Sequence, residues 1–180
     1  MNLPSQEESQ ALLEKYIENP ALRHHCEMVA GAIKAYAQKF EENEELWYQT
    51  GLLHDLDYEK YPDEHPNKAV NELLVNYPEE LKHAILAHGP GITGVEPTTK
   101  MERYLFACDE LSGFMHAYSL MRPNGFEGMK AGKILKKLKD INFAAKISRE
   151  DVKKGFELIE EEPTEHIQFL IGTFIKSNTS

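Results

Sequence analysis

From Ser5 almost to the C-terminus, apolar residues recur at intervals of three and four, and nowhere do they alternate one by one over a useful length. A period near 3.6 lines apolar side chains along one face of a helix, whereas a half-buried strand needs a period of two. The chain is therefore expected to be all-α. Ser5, with Glu8 three residues on, has the form of a capping box. It opens a first helix that carries Leu12, Leu13, Tyr16 and Ile17 and stops near Asn19-Pro20. A second helix is expected over about 21–40, with Leu22, Cys26, Val29, Ile33 and Phe40 on one face, and a third over about 44–54. After the loop DLDYEKYPDEH, Pro66 suits the first turn of a fourth helix ending before Pro78. A fifth runs over about 79–88 and is stopped by Gly89-Pro90-Gly91. The loop GPGITGVEPTT leads to a long apolar helix over about 100–121, broken by Arg122-Pro123-Asn124-Gly125. Three more helices are expected near 127–139, 148–161 and 163–177, with Ser148 and Thr164 as caps.

A chain of 180 residues suits one domain, here a helical bundle over 1–180 with its core at about 20–125 and a C-terminal helical appendage at about 126–178. That size needs no disulfides, and the two cysteines, Cys26 and Cys108, lie in apolar helical runs where a thiol behaves as a small core residue. The N-terminus lacks a basic-then-apolar leader, and no apolar stretch approaches a membrane span. A cytoplasmic location and no membrane partner are expected. A net charge of −10 and a pI near 5.3 argue against a nucleic-acid binder that neutralises phosphates. A small phosphorylated substrate stays compatible, because a bound metal ion can dominate the local field. Oligomeric state is not legible.

The eight histidines matter by placement. His54-Asp55 closes the apolar segment Thr50-Gly51-Leu52-Leu53. A carboxylate beside a buried helix end needs a partner. By itself the dipeptide fits either a ligand pair or a local His–Asp hydrogen bond. Asp109, in YLFACDELSGFM, is flanked by Leu105 and Phe106 one turn back and by Ser112 and Gly113 one turn on, with no Lys or Arg within a turn. It calls for a metal ion or a distant lysine. Helical register sorts the rest. His25 shares a stripe with Leu22, Val29 and Ala32; His88 continues Leu81, Ala84 and Ile85; His65 lines up with Ala69 and Leu73. These three are selected over His24, His83 and His116. Imidazole and carboxylate suit Fe, Mn, Zn and similar ions.

The order His25 in RHHCEMVA, His54-Asp55 in GLLHDLDYE and Asp109 in FACDELSG resembles the HD-domain superfamily. Some branches insert two further histidines before the last Asp, and His65 and His88 match them in order and rough spacing, as in HD-type dinucleoside-tetraphosphate hydrolases. The resemblance covers about residues 20–120; RYLFACDELSGF and LKKLKDINFAAKISRE are also similar to a group of predicted HD hydrolases. The common continuation His-Asp-Ile-Gly, often with a following Lys, is replaced by His54-Asp55-Leu56-Asp57-Tyr58. Substrates of the branches that keep it therefore do not transfer. Asp57 reads first as a loop cap, with a supporting or acid/base role as the alternative.

The resemblance implies a metal-dependent phosphohydrolase acting on a phosphate ester, such as a nucleotide or other small phosphorylated metabolite. It implies one or two divalent ions (Fe, Mn, Zn, Mg, Co or Ni). His25, His54, Asp55 and Asp109 would hold one, and His65 and His88 a second bridged by Asp55. Asp55 and His54 are the expected catalytic residues. Lys60, in the loop after the metal pair, and Arg122 are the expected substrate-binding cations; the lysines of MKAGKILKKLKD fit better as a solvated face. Two rival readings stay open: an HD-type dinuclear-iron oxygenase, and a non-catalytic ligand-binding bundle with a vestigial metal site.

Overall fold

The first helix begins where its cap chemistry dictates. In the computed structural model, which describes residues 3–178, the Ser5 hydroxyl accepts from the Glu8 amide at 3.2 Å and the Glu8 carboxylate accepts from the Ser5 amide at 2.7 Å. Helix α1 (Gln6–Tyr16) follows. Asn19 caps α2 (Pro20–Phe40), with Pro20 in the first turn where a missing N–H costs nothing. Asn43 caps α3 (Glu44–Leu53) through the Leu46 amide. Then come α4 (Glu79–Ala87), the single turn α5 (Pro90–Thr93), α6 (Lys100–Leu120), α7 (Ala131–Leu138), α8 (Arg149–Ile159) and α9 (Pro163–Asn178). No strand occurs among the described residues, and none of their helices is long and apolar enough to cross a membrane.

Two segments depart from the sequence reading. The helix expected from Pro66 begins one residue later and is short: helical residues 67–68 run into a five-residue π-helical turn, Ala69–Leu73, which ends well before Pro78. The Ala69 amide, in the first turn, donates to the buried Asp57 carboxylate at 2.7 Å, and the Leu74 amide closes the wide turn on the Ala69 carbonyl. The GPGITG loop holds α5, one turn closed by Gly94 in the left-handed region.

The chain divides within α6 into two compact units, Met1–Phe106 and Ala107–Ser180. In the first, α2 and α3 pack closely. A Cβ on Gly51 would lie 2.7 Å from the Ala30 Cα and 2.9 Å from the Ile33 Cδ1, so the crossing admits only glycine. His54 stands one turn after Gly51 and His25 stands just over one turn before Ala30, so this crossing sets their approach. Tyr36, Phe40, Trp47 and Tyr104 form an aromatic cluster behind it, with Tyr36 and Tyr104 centroids 4.3 Å apart. A buried polar knot joins α1, α3 and the segment before α4: Ser9 Oγ lies 2.7 Å from Gln49 Oε1 and 2.9 Å from the Tyr77 hydroxyl.

In the second unit, Gly155 of α8 lies against Ala107, where a Cβ would come within 2.8 Å of the Ala107 Cα. Arg149 spreads its guanidinium over the carbonyls of Leu138, Asp140, Phe143, Ala144 and Ile147 and lies over the Phe114 ring at 4.8 Å. Five carbonyl acceptors around one fork of donors fix the α7–α8 connection. Both cysteines are buried as expected, and neither is in a disulfide. Burial, with Asp109 and Glu161 adding to it, pushes the Cys108 thiol well up, as befits an inert core residue.

Candidate metal centre

The same local device occurs twice. His54 is the C-cap of α3 and His88 is the C-cap of α4. Each ring turns back on its own helix: His54 Nδ1 donates to the Gly51 carbonyl at 2.7 Å, and His88 Nδ1 donates to the Ile85 carbonyl. A carbonyl only accepts, so both imidazoles carry their proton on Nδ1 and present a lone pair at Nε2. Two helix C-termini, the negative ends of their dipoles, thus finish at one place, which favours a cation there. Local i−3 carbonyls do this with no contribution from distant sequence.

His65 comes from the irregular segment before the π-helical turn. Its Nδ1 lies 2.6 Å from Asp57 Oδ1, and Asp57 is fully buried, while the other Asp57 oxygen accepts from the Ala69 amide. Its Nε2 lies 3.2 Å from His88 Nε2. The rings of His65 and His88 meet at 5.1 Å between centroids, those of His54 and His88 at 5.2 Å, and those of His25 and His54 at 5.3 Å.

Asp55 stands among these four rings. Its Oδ1 is 3.5 Å from His65 Nε2 and 3.6 Å from His88 Nε2; its Oδ2 is 3.4 Å from His54 Nε2 and 3.8 Å from His25 Nε2. One carboxylate therefore turns one oxygen to each of two histidine pairs. It is 14% exposed, and His54 is fully buried. Asp55, His65 and His88 form a group whose candidate ligand atoms all lie within 4.8 Å of one another.

A divalent ion fits these residues. His65 Nε2 and His88 Nε2 lie 3.2 Å apart and both face a carboxylate oxygen, an arrangement that positive charge between them stabilises. A shared proton or a metal ion would supply it. The edge lengths suit a metal: tetrahedral bonds of about 2.0–2.2 Å separate ligand atoms by about 3.3–3.6 Å. The triangle of His65 Nε2, His88 Nε2 and Asp55 Oδ1 has edges of 3.2, 3.5 and 3.6 Å.

The remaining expected residues are placed as follows. Asp109 lies on α6, half-buried, in the second unit. Lys60 points its ammonium at the Lys15 carbonyl, 2.9 Å away, and at Glu18, 3.6 Å away. Arg122 donates to the Glu127 carbonyl at 2.9 Å, in the second unit. Among the histidines passed over, His83 is 52% exposed and pairs with Glu102. Sequence reasoning took Asp57 first as a loop cap. It does hold the Ala69 amide, but it also holds His65. The signal was its position two residues after Asp55, where one carboxylate faces the centre and the other stands behind it.

Comparison with curated proteins gave no match, and comparison with solved structures gave none either. A family model for the HD domain does match, over residues 22–113, which takes in His25, His54, Asp55, His65, His88 and Asp109. That span is just over half of the chain, it is helical throughout its regular structure, and it contains the histidine and aspartate cluster. The chain belongs to the HD-domain family, a family of metal-dependent hydrolases.

Proposed function

We propose that the chain is a phosphohydrolase with two divalent ions, acting on a small phosphorylated substrate. The observation that carries this reading is Asp55, with an oxygen toward each of two histidine pairs. In this reading His65, His88 and Asp55 would hold one ion. His25, His54 and Asp55 would hold the other. Bound divalent ions would supply Lewis acidity toward a phosphoryl oxygen and make water acidic enough to act as a nucleophile near neutral pH.

The chain's own residues do the rest. Asp55 fixes the spacing of the two ligand sets by belonging to both. The Gly51 and Ile85 carbonyls hold the Nδ1 protons of His54 and His88, so the Nε2 lone pairs of these two rings stay directed at the centre. Burial of His54 and near-burial of His65 and His88 keep bulk water from competing for those lone pairs. Lys60 and Arg122 stay outside the proposal, because each is engaged by backbone carbonyls of its own neighbourhood.

The test is metal analysis of protein purified without chelator, then a phosphatase and phosphodiesterase panel run with several divalent metals, with Asp55→Ala as the blank. Two ions per chain and metal-dependent hydrolysis that vanishes in the variant are expected. Protein that binds no ion and gains no activity on adding Mn²⁺ or Fe²⁺ would sink the reading. Turnover that stops under anaerobic conditions would move it to an oxygenase.

A further inference from the structure

The two oxygens of Asp57 face two donors of different kinds. Oδ2 accepts from the Ala69 amide at 2.7 Å, and a backbone N–H can only donate. Oδ1 lies 2.6 Å from His65 Nδ1, which can carry a proton or not. Because an ionised carboxylate only accepts, its contact with His65 is a hydrogen bond only if Nδ1 is protonated. Asp57 is fully buried, so no water substitutes for either partner. The ring's other nitrogen, Nε2, lies 3.2 Å from His88 Nε2 and 3.5 Å from Asp55 Oδ1.

His54 and His88 settle their tautomers on carbonyls of their own helices, one turn back. His65 has no helix of its own before it and takes its partner from eight residues earlier in the chain. The same carboxylate takes the Ala69 amide, at the start of the π-helical turn that follows His65. A single side chain thus anchors the segment that carries His65 and orients the ring on it.

We propose that Asp57 is the positioning residue of the centre: it fixes His65 as the Nδ1–H tautomer and so turns the Nε2 lone pair toward Asp55 and His88. The metal consequence rests on the two-ion reading above; the tautomer does not. Asp57→Asn isolates the effect because it keeps the shape and removes one acceptor. The fixed Ala69 N–H claims the one amide oxygen, and the amide NH₂ then faces His65 Nδ1. That nitrogen becomes the acceptor, the proton moves to Nε2, and an N–H points into the centre.

Two measurements test this. The first is long-range ¹H–¹⁵N correlation on metal-free protein, at a pH where the imidazoles are neutral, with His65 assigned by its loss in His65→Gln. Wild type is expected to show His65 protonated at Nδ1, and Asp57→Asn to show it protonated at Nε2. The second is Mn²⁺ titration by calorimetry, in which Asp57→Asn is expected to weaken one of the two equivalents by about 10–100-fold and leave the other in place. Wild-type His65 protonated at Nε2 would overturn the inference on its own, even if Asp57→Asn did not fold. So would a folded Asp57→Asn that keeps the Nδ1 proton and wild-type Mn²⁺ affinity at both sites. Wild-type protein that binds no Mn²⁺ but keeps the Nδ1 proton refutes the two-ion reading alone, and the tautomer assignment stands.

Discussion

The first unit contains two histidine–carboxylate pairs that look alike from the hydrogen bond alone. His65 Nδ1 meets Asp57 at 2.6 Å, and His83 Nδ1 meets Glu102 at 2.7 Å. Both carboxylates are buried, and both also accept backbone amides: Asp57 that of Ala69, Glu102 those of Thr98 and Thr99. The far side of each ring differs. His65 is 8% exposed and turns Nε2 toward His88 and Asp55, whereas His83 is 52% exposed. A histidine–carboxylate pair is therefore no mark of a ligand by itself. The second nitrogen decides whether the pair aims a lone pair at a site or fastens a loop.

The largest separation between the pairs should come from removing the rings. His65→Ala is expected to lower metal content by one ion per chain and to take phosphoester hydrolysis to background, because one Asp55 oxygen then faces only His88. His83→Ala should leave both unchanged. Elemental analysis of the two proteins purified side by side checks this, and metal loss in the His83 variant would erase the distinction.

Helical register distinguishes these two histidines in the sequence. His65 lines up with Ala69 and Leu73, while His83 lies beside Glu79 and Glu80, and Ala69 is indeed fully buried. The all-α class was equally legible, because apolar periodicity is a local signal and every cap that stops it is local too. Asp57 was not legible in its double role, since its partners are eight and twelve residues on and join it only through an irregular segment. The early end of the helix expected from Pro66 was not legible either: periodicity does not report that the run widens into a π-helical turn and stops at Leu73. The direction of Lys60 was hidden as well. A loop lysine after the metal pair reads as a phosphate ligand, and the fold sets its ammonium beside the Lys15 carbonyl of α1 and Glu18 just beyond that helix.

A middle-sized effect should distinguish the carboxylates. Glu102→Gln keeps one oxygen for the amides of Thr98 and Thr99 and the Thr98 hydroxyl, but it presents an NH₂ to His83 and removes the charge that four donors share. A loss of about 1–3 kcal/mol in urea unfolding is expected, with metal content unchanged. His83→Ala removes only the exposed partner and opens that oxygen to water, so it should cost about 0.5 kcal/mol. If His83→Ala proved the more costly of the two, the fastening would reside in the ring and not in the carboxylate.

The smallest effect is the pH dependence of that fastening. Burial pushes the Glu102 carboxyl up, but the amides of Thr99 and Thr98 together with His83 outweigh it and hold the group below its ordinary value of 4.5. A carboxyl that titrates lower when folded than when unfolded stabilises the fold at every pH above its unfolded value. That contribution fades as pH falls through the unfolded and then the folded value, when the proton that the fold resists is forced on. Melting temperatures of metal-free protein should therefore drop more steeply below about pH 4.5 in wild type than in Glu102→Gln. Metal-free protein is the right sample, because loss of bound ions on acidification would otherwise mask the difference. Parallel melting curves for the two proteins would mean that the Thr98–Thr99 turn holds without the charge on Glu102, and the two carboxylates would then differ in kind: one set by charge, the other only by shape.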